Sequence, residues 1–259
     1  MRQMSAPSHL LASLVVTAAA VGAAFVLPTP AHALTITIGG DGGKTVVGSG
    51  HIVDVARKTG AFSTIRVDGS VDVDAHPGPN PGVTVRADDN IEPLVETAIE
   101  GDALVVRLRK GTSLRTSHEM KVVVEFAQLA GAQQHGSGDL HISAVNGPKF
   151  DARITGSGDL VVDNAQVGSL AISVAGSGDV HIAGRADSAD FQIAGSGDIH
   201  ASDLAARRVE VKVRGSGDAD VNATETLAAS VAGSGDVTYG GHPHDVSRNV
   251  AGSGSISPR

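Results

Sequence analysis

The chain has 259 residues, a formal net charge of −8, no cysteine, 33 glycines and only 2% aromatic residues. Its acidic balance argues against a nucleic-acid partner, which needs basic surface to neutralise phosphates; the lack of cysteine excludes disulfides, thiol catalysis and a lipid anchor on an acceptor cysteine. With five Phe, one Tyr and no Trp, a large aromatic core is excluded too, and Val, Ile, Leu and Ala have to be buried in thin layers.

Residues 1–33 place Arg2 ahead of an apolar run from Leu10 to Leu27 and finish on Ala31-His32-Ala33. A positive end, a hydrophobic segment and a small-x-small site define a secretory signal peptide. The run is at the lower limit of a membrane span, but it is alanine-rich and ends at "PTPAHA", which favours cleavage. The expectation is an exported protein, periplasmic or extracellular, with no transmembrane anchor once the signal is removed.

Residues 34–130 read as a divergent β region. "VVGSGHIVDV" and "IRVDGSVDVDA" carry Gly48-Ser49-Gly50 and Gly69-Ser70, each just ahead of an alternating apolar stretch. "HPGPNPG" (76–82) is a Pro/Gly loop. After it, "VTVRAD", "LVETAIEGDALVVRLRKG" and "MKVVVEFAQL" predict four or five strands joined by tight turns such as Glu100-Gly101-Asp102. Ile91–Ala98, with Pro93 near its start, is the one place for a short helical turn.

From 131 to 255 a repeat takes over. The word GSGD begins at Gly136, Gly156, Gly176, Gly195, Gly215 and Gly233 and returns as GSGS at Gly252, at spacings of 20, 20, 19, 20, 18 and 19 residues. Before each word apolar residues share one parity, as in Leu170, Ile172 and Val174; after it the alternation resumes, as in Val180 and Ile182. Period-two alternation means strands with one buried face, and a unit this short buries that face only by stacking on its copies. The fold expected is all-β: a single-stranded right-handed parallel β-helix of about 18–20 residues per coil, with coils about 4.8 Å apart. Glycine supplies the φ > 0 that a corner needs. Ser137, Ser157, Ser177, Ser196, Ser216 and Ser234 are expected to stack as a hydrogen-bonding ladder.

The stretch "GAFSTIRVDGSVDVDAHPG", then "VTVRADDNIEPLVETAIEGDALVVRLRKG" and "MKVVVEFAQLAGAQQHGSGDLHI", resembles the head GIN domain family of adhesin-type proteins over about residues 60–255. The resemblance implies an exported bacterial β-helix protein, and it carries over no catalytic residue.

Two outward columns follow from stacking. Asp139, Asp159, Asp179, Asp198, Asp218 and Asp236 repeat at the corners, and neighbouring carboxylates repel unless donors or cations offset them. Calcium accepts such oxygens, so these residues are candidate metal ligands, although the calcium β-roll repeat has a different word and half the period. Two positions on lie His141, Val161, His181, His200, Asp220 and Thr238, where His181, His200 and Asp220 are candidates for zinc or copper. His242, His244 and Asp245 form a weaker group. No cofactor is implied. The coils are uniform, without the long loops that build a cleft in polysaccharide-acting β-helix enzymes. The leading expectation is therefore a non-enzymatic adhesin-like or envelope-scaffolding protein that binds a protein or glycan. A cation-binding envelope protein is the alternative, and a polysaccharide hydrolase or lyase comes third.

Overall fold

The computed structural model describes residues 36–38 and 44–259; the signal peptide and cleavage site expected in residues 1–33 lie outside them. The strands in chain order are β1 (Ile36–Ile38), β2 (Lys44–Val47), β3 (Ile52–Lys58), β4 (Thr64–Gly69), β5 (Asp72–Pro77), β6 (Gly82–Asp88), β7 (Val95–Glu100), β8 (Ala103–Leu108), β9 (Thr112–Arg115) and β10 (Lys121–Phe126). There follow β11 (Gly131–Gly136), β12 (Leu140–Ile142), β13 (Val145–Gly156), β14 (Leu160–Gly176), β15 (Val180–Gly195), β16 (Ile199–Gly215), β17 (Ala219–Gly233), β18 (Val237–Gly240), β19 (Asp245–Gly252) and β20 (Ile256–Pro258). A 3-10 turn at Glu92–Leu94, with Pro93 inside it, is the short helical element read from the sequence. The hairpin β7–β8 turns at Gly101, φ +66°.

From β11 onward the strands form a β-solenoid, the whole fold making about six turns. Each coil pairs in parallel register with the next, so Gly136, Gly156, Gly176, Gly195, Gly215, Gly233 and Gly252 stand in one line. Coils of unequal length stay in register because the difference is absorbed past the corner, where the pairing shifts between Val162 and Ala165, His181 and Gly184, and Ala201 and Arg208. Three inward columns fill the interior behind the strands that enter the corners. One runs Phe150, Leu170, Ala189, Val209, Leu227; the next Ala152, Ile172, Phe191, Val211, Ala229; the third Ile154, Val174, Ile193, Val213, Val231. All are buried.

The two glycines of the word have different reasons. The first lies at φ between +127° and +149° from Gly156 to Gly233, a conformation costly to any residue with a Cβ. The second needs no such angle, but a Cβ on Gly178 would sit 2.1 Å from the Gly158 carbonyl oxygen, and Gly197, Gly217 and Gly235 repeat that approach. From Gly136 upward, stacked corners therefore exclude a side chain from both positions.

Strands β4, β5, β8 and β10 continue this stack out of chain order. β4 and β5 pair in parallel with β11 and β12, placing Gly69 under Gly136 although 67 residues separate them. β8 and β10, from later in the chain, lie on the far side of β4 and β5. The Pro/Gly loop and the β6–β8 excursion thus carry the chain around to build a lower layer. That layer is finished by antiparallel β7 on β8 and by β6 and β3 beyond β10. Gly48-Ser49-Gly50 resembles the corner word but does another job. Its loop holds the buried carboxylate of Asp88, which accepts from the Gly50 N–H at 2.8 Å and the Thr116 hydroxyl at 2.6 Å. A Cβ on Gly48 would collide with that carboxylate.

Candidate functional site

The Asp column is a hydrogen-bond ladder. Oδ1 of Asp139 accepts the N–H of Asp159 at 3.0 Å, Asp159 that of Asp179 at 2.8 Å, Asp179 that of Asp198 at 2.8 Å, and Asp198 that of Asp218 at 2.7 Å. Asp218 accepts from Asp236 and Asp236 from Ser255, both at 2.7 Å. At the foot stands Asp72, which accepts the Asp139 N–H at 2.9 Å. Asp72 escapes a search for the word because Val71 replaces the second glycine in "GSVD". Each carboxylate is thus already bonded to a donor that has left the strand ladder, and charged acceptors make the stronger hydrogen bonds. Serine contributes differently from expectation: its backbone N–H donates to the first glycine's carbonyl one coil below, as Ser177 does to Gly156 at 2.9 Å. The side-chain ladder runs through aspartate, an acceptor-only carboxylate whose charge strengthens the hydrogen bond it receives from the next coil.

The second column is assembled as parity predicts. Asp74, His141, Val161, His181, His200, Asp220 and Thr238 occupy successive coils in register. His181 and His200 stack face to face, with ring centroids 4.4 Å apart and planes 19° from parallel. In-plane nitrogen lone pairs on parallel rings do not converge on one ion. Asp220 turns to Arg259, Nη2 to Oδ1 2.7 Å, and His141 pairs with Asp163 at 2.7 Å. Among the described residues no group of three or more His, Cys, Asp or Glu side chains is arranged to hold a metal. His242, at φ +54°, and His244 lie in the exposed turn between β18 and β19.

An open groove lies on the opposite side of the corner. The outward residues of β13 to β17 and β19 line its volume of about 680 Å³, with Lys149, Ser169, Ser188, Arg208, Thr226 and Asp245 as one in-register row. A second recess of about 290 Å³ shares Asp151, Ala171 and Asp190 with it and extends the face to Gln133 and Arg153. The sequence signal for this face is the run of small or polar residues at alternate positions, which by itself reads only as a solvated side. Lys149 pairs with Asp151 at 2.7 Å, and Lys212 pairs with Glu210.

Charge at the other end of the stack is organised as a network. Glu96 accepts from Arg107 and Arg109, and Glu100 from Arg66 and Arg107. The Arg107 hydrogen bond holds the Glu96 carboxyl below its ordinary value, and Arg66 does the same for Glu100.

Residues 61–243 match the family model described as "Putative auto-transporter adhesin, head GIN domain". Among solved structures the chain is similar to a putative adhesin from Bacteroides fragilis, at 27% identity and a TM-score of 0.79, covering 82% of this chain and 99% of that one. A putative lipid binding protein from Parabacteroides distasonis is 28% identical with a TM-score of 0.69, covering 83% and 100%. A putative adhesin from the same organism is 26% identical with a TM-score of 0.69, covering 83% and 100%. No curated protein matches. The stacked GSGD corners and, apart from β3, the out-of-order lower layer fall within the matched region, and the chain belongs to the head GIN domain family.

Proposed function

We propose that this chain is an exported, non-enzymatic, adhesin-like protein of the cell envelope that holds a macromolecular partner, protein or glycan, along the groove of β13 to β19. The observation that carries this reading is the groove itself: six strands, held in register by the corner ladder, present one continuous open face of mixed polar and small apolar residues. The interior columns are filled with buried side chains, so a partner is held on the outside. A rigid sheet needs no reordering on binding, which lowers the entropic cost of association. Family membership and the adhesins among the structural neighbours support the same reading.

The test is a binding screen of the purified protein against glycan arrays and envelope or host-surface proteins, repeated with Ala171→Arg and Ser188→Arg. Both positions are half-buried on the groove floor, where a long cationic side chain blocks contact. The expected result is a ligand bound by the wild type and lost in both variants, with unchanged circular dichroism. A blank screen, or a ligand retained by both variants, removes the groove as the site.

A further inference from the structure

The three inward columns do not end alike. Over Leu227 and Val231 the last coil places Val246 and Val250, but over Ala229 it places Arg248. Every residue beneath Arg248 in that column, Ala152, Ile172, Phe191, Val211 and Ala229, is apolar and buried. The guanidinium lies over the ring of Tyr239, 5.2 Å from its centroid, and donates to the Tyr239 hydroxyl. Tyr239 is the single tyrosine of the chain. It too stands near the end of an inward column, between Val221 and Pro258.

Two more departures fall in the same coil. Where the six GSGD corners carry an Asp that accepts from the coil above, this one carries Ser255. Its N–H and hydroxyl both donate to Asp236, at 2.7 and 2.9 Å, so the row of carboxylate acceptors stops there. Pro258 is the second departure. The Arg259 N–H points back to the Tyr239 carbonyl at 2.9 Å, so strand alternation puts the N–H that Pro258 lacks on the open edge.

Among the described residues, β19 pairs only with β17 and β20 only with β18. Their other edges are unpaired, and Val250 is 42% exposed beside them. An open, apolar strand edge is a template for another chain, and inward charges and edge prolines are known ways of blocking it. We propose that the coil 245–258 is a terminating cap. Arg248 seated on Tyr239, together with Ser255 and Pro258, prevents a further coil, above all a second copy of this chain, from stacking on the open end. A coil laid there would strip water from the Arg248 guanidinium without offering an anion, which is unfavourable for any buried charge. It would also find no carboxylate acceptor at the corner.

The test compares the wild type with Arg248→Val combined with Ser255→Asp. Sedimentation velocity of the purified proteins reads self-association across a concentration series. The expected result is a folded double variant whose mass-average sedimentation coefficient rises with concentration well above that of the wild type. Because the chain has no cysteine, Asn249→Cys placed in both backgrounds reports where copies meet; a disulfide-linked dimer is expected in the uncapped background alone. If Arg248→Val does not fold, Arg248→Gln, which keeps much of the stem and drops the charge, must move association the same way. A folded uncapped variant that associates no more than wild type overturns the proposal, and so does association that never links position 249.

Discussion

Replacing Asp179 by alanine or by asparagine separates a structural column from a cation-binding one. Asp179 is half-buried, accepts the Asp198 N–H at 2.8 Å and donates its own N–H to Asp159. Alanine removes one acceptor and strands the Asp198 donor. A hydrogen bond to a charged group contributes about 1.5–3 kcal/mol. Against that, losing the charge relieves repulsion from Asp159 and Asp198, each below about 1 kcal/mol at coil spacing in water. The net expectation for Asp179→Ala is a loss of about 1–2 kcal/mol, which is a fall in Tm of roughly 2–8 °C for a domain of this size. Asparagine keeps an oxygen acceptor and removes the repulsion, so Asp179→Asn is expected within about 1 kcal/mol of wild type. Urea denaturation and thermal melts, each with millimolar calcium, zinc or chelator, measure both changes. If alanine is as stable as wild type, the ladder argument fails. If asparagine is as damaging as alanine and wild-type stability drops in chelator, the column is a cation site.

Other outcomes follow from the same packing. Gly197→Ala is expected to destabilise by about 1–3 kcal/mol, the usual penalty for overpacking, because its Cβ would meet the Gly178 carbonyl at 2.1 Å. Gly50→Ala, with nothing within 4 Å, carries only the backbone term of about 1–2 kcal/mol; equal melting shifts would show that coil contact is not what matters. Phe191→Ala removes a fully buried ring between Ile172 and Val211 and is expected to cost about 3–5 kcal/mol, read as a drop in the denaturation midpoint. Glu96 has a folded-state pKa below its ordinary 4.5, so its contribution is present above that value and is lost as pH falls through the lowered one. Glu96→Gln should therefore lower stability at pH 7 and flatten the acid limb of the stability curve. An acid limb identical to wild type would show that the Arg107 pairing contributes nothing.

Much of the solenoid was legible along the chain because its corners are local. A positive φ and a close backbone approach each demand glycine wherever they occur, so the word recurs at every coil and sets the period. Parity then assigned the faces: Ile172 and Val174 inward, His181 and His200 outward and adjacent. What those outward residues do was not legible. Each stacked aspartate accepts an N–H from the next coil, about 2.8 Å distant at Asp159 and Asp179, and that donor is set by the coil stacking rather than by the word itself.

The order of residues alone determined strand type, period and coil register, since these follow from steric limits at each corner and from alternation along each strand. Tertiary structure alone decided that Gly69 lies under Gly136 and that Asp72 is the foot of the ladder. It also decided that β8 and β10 stack beneath strands that precede them in the chain. Those pairings join residues tens of positions apart, where no local rule selects the partner and only the burial of one shared interior does.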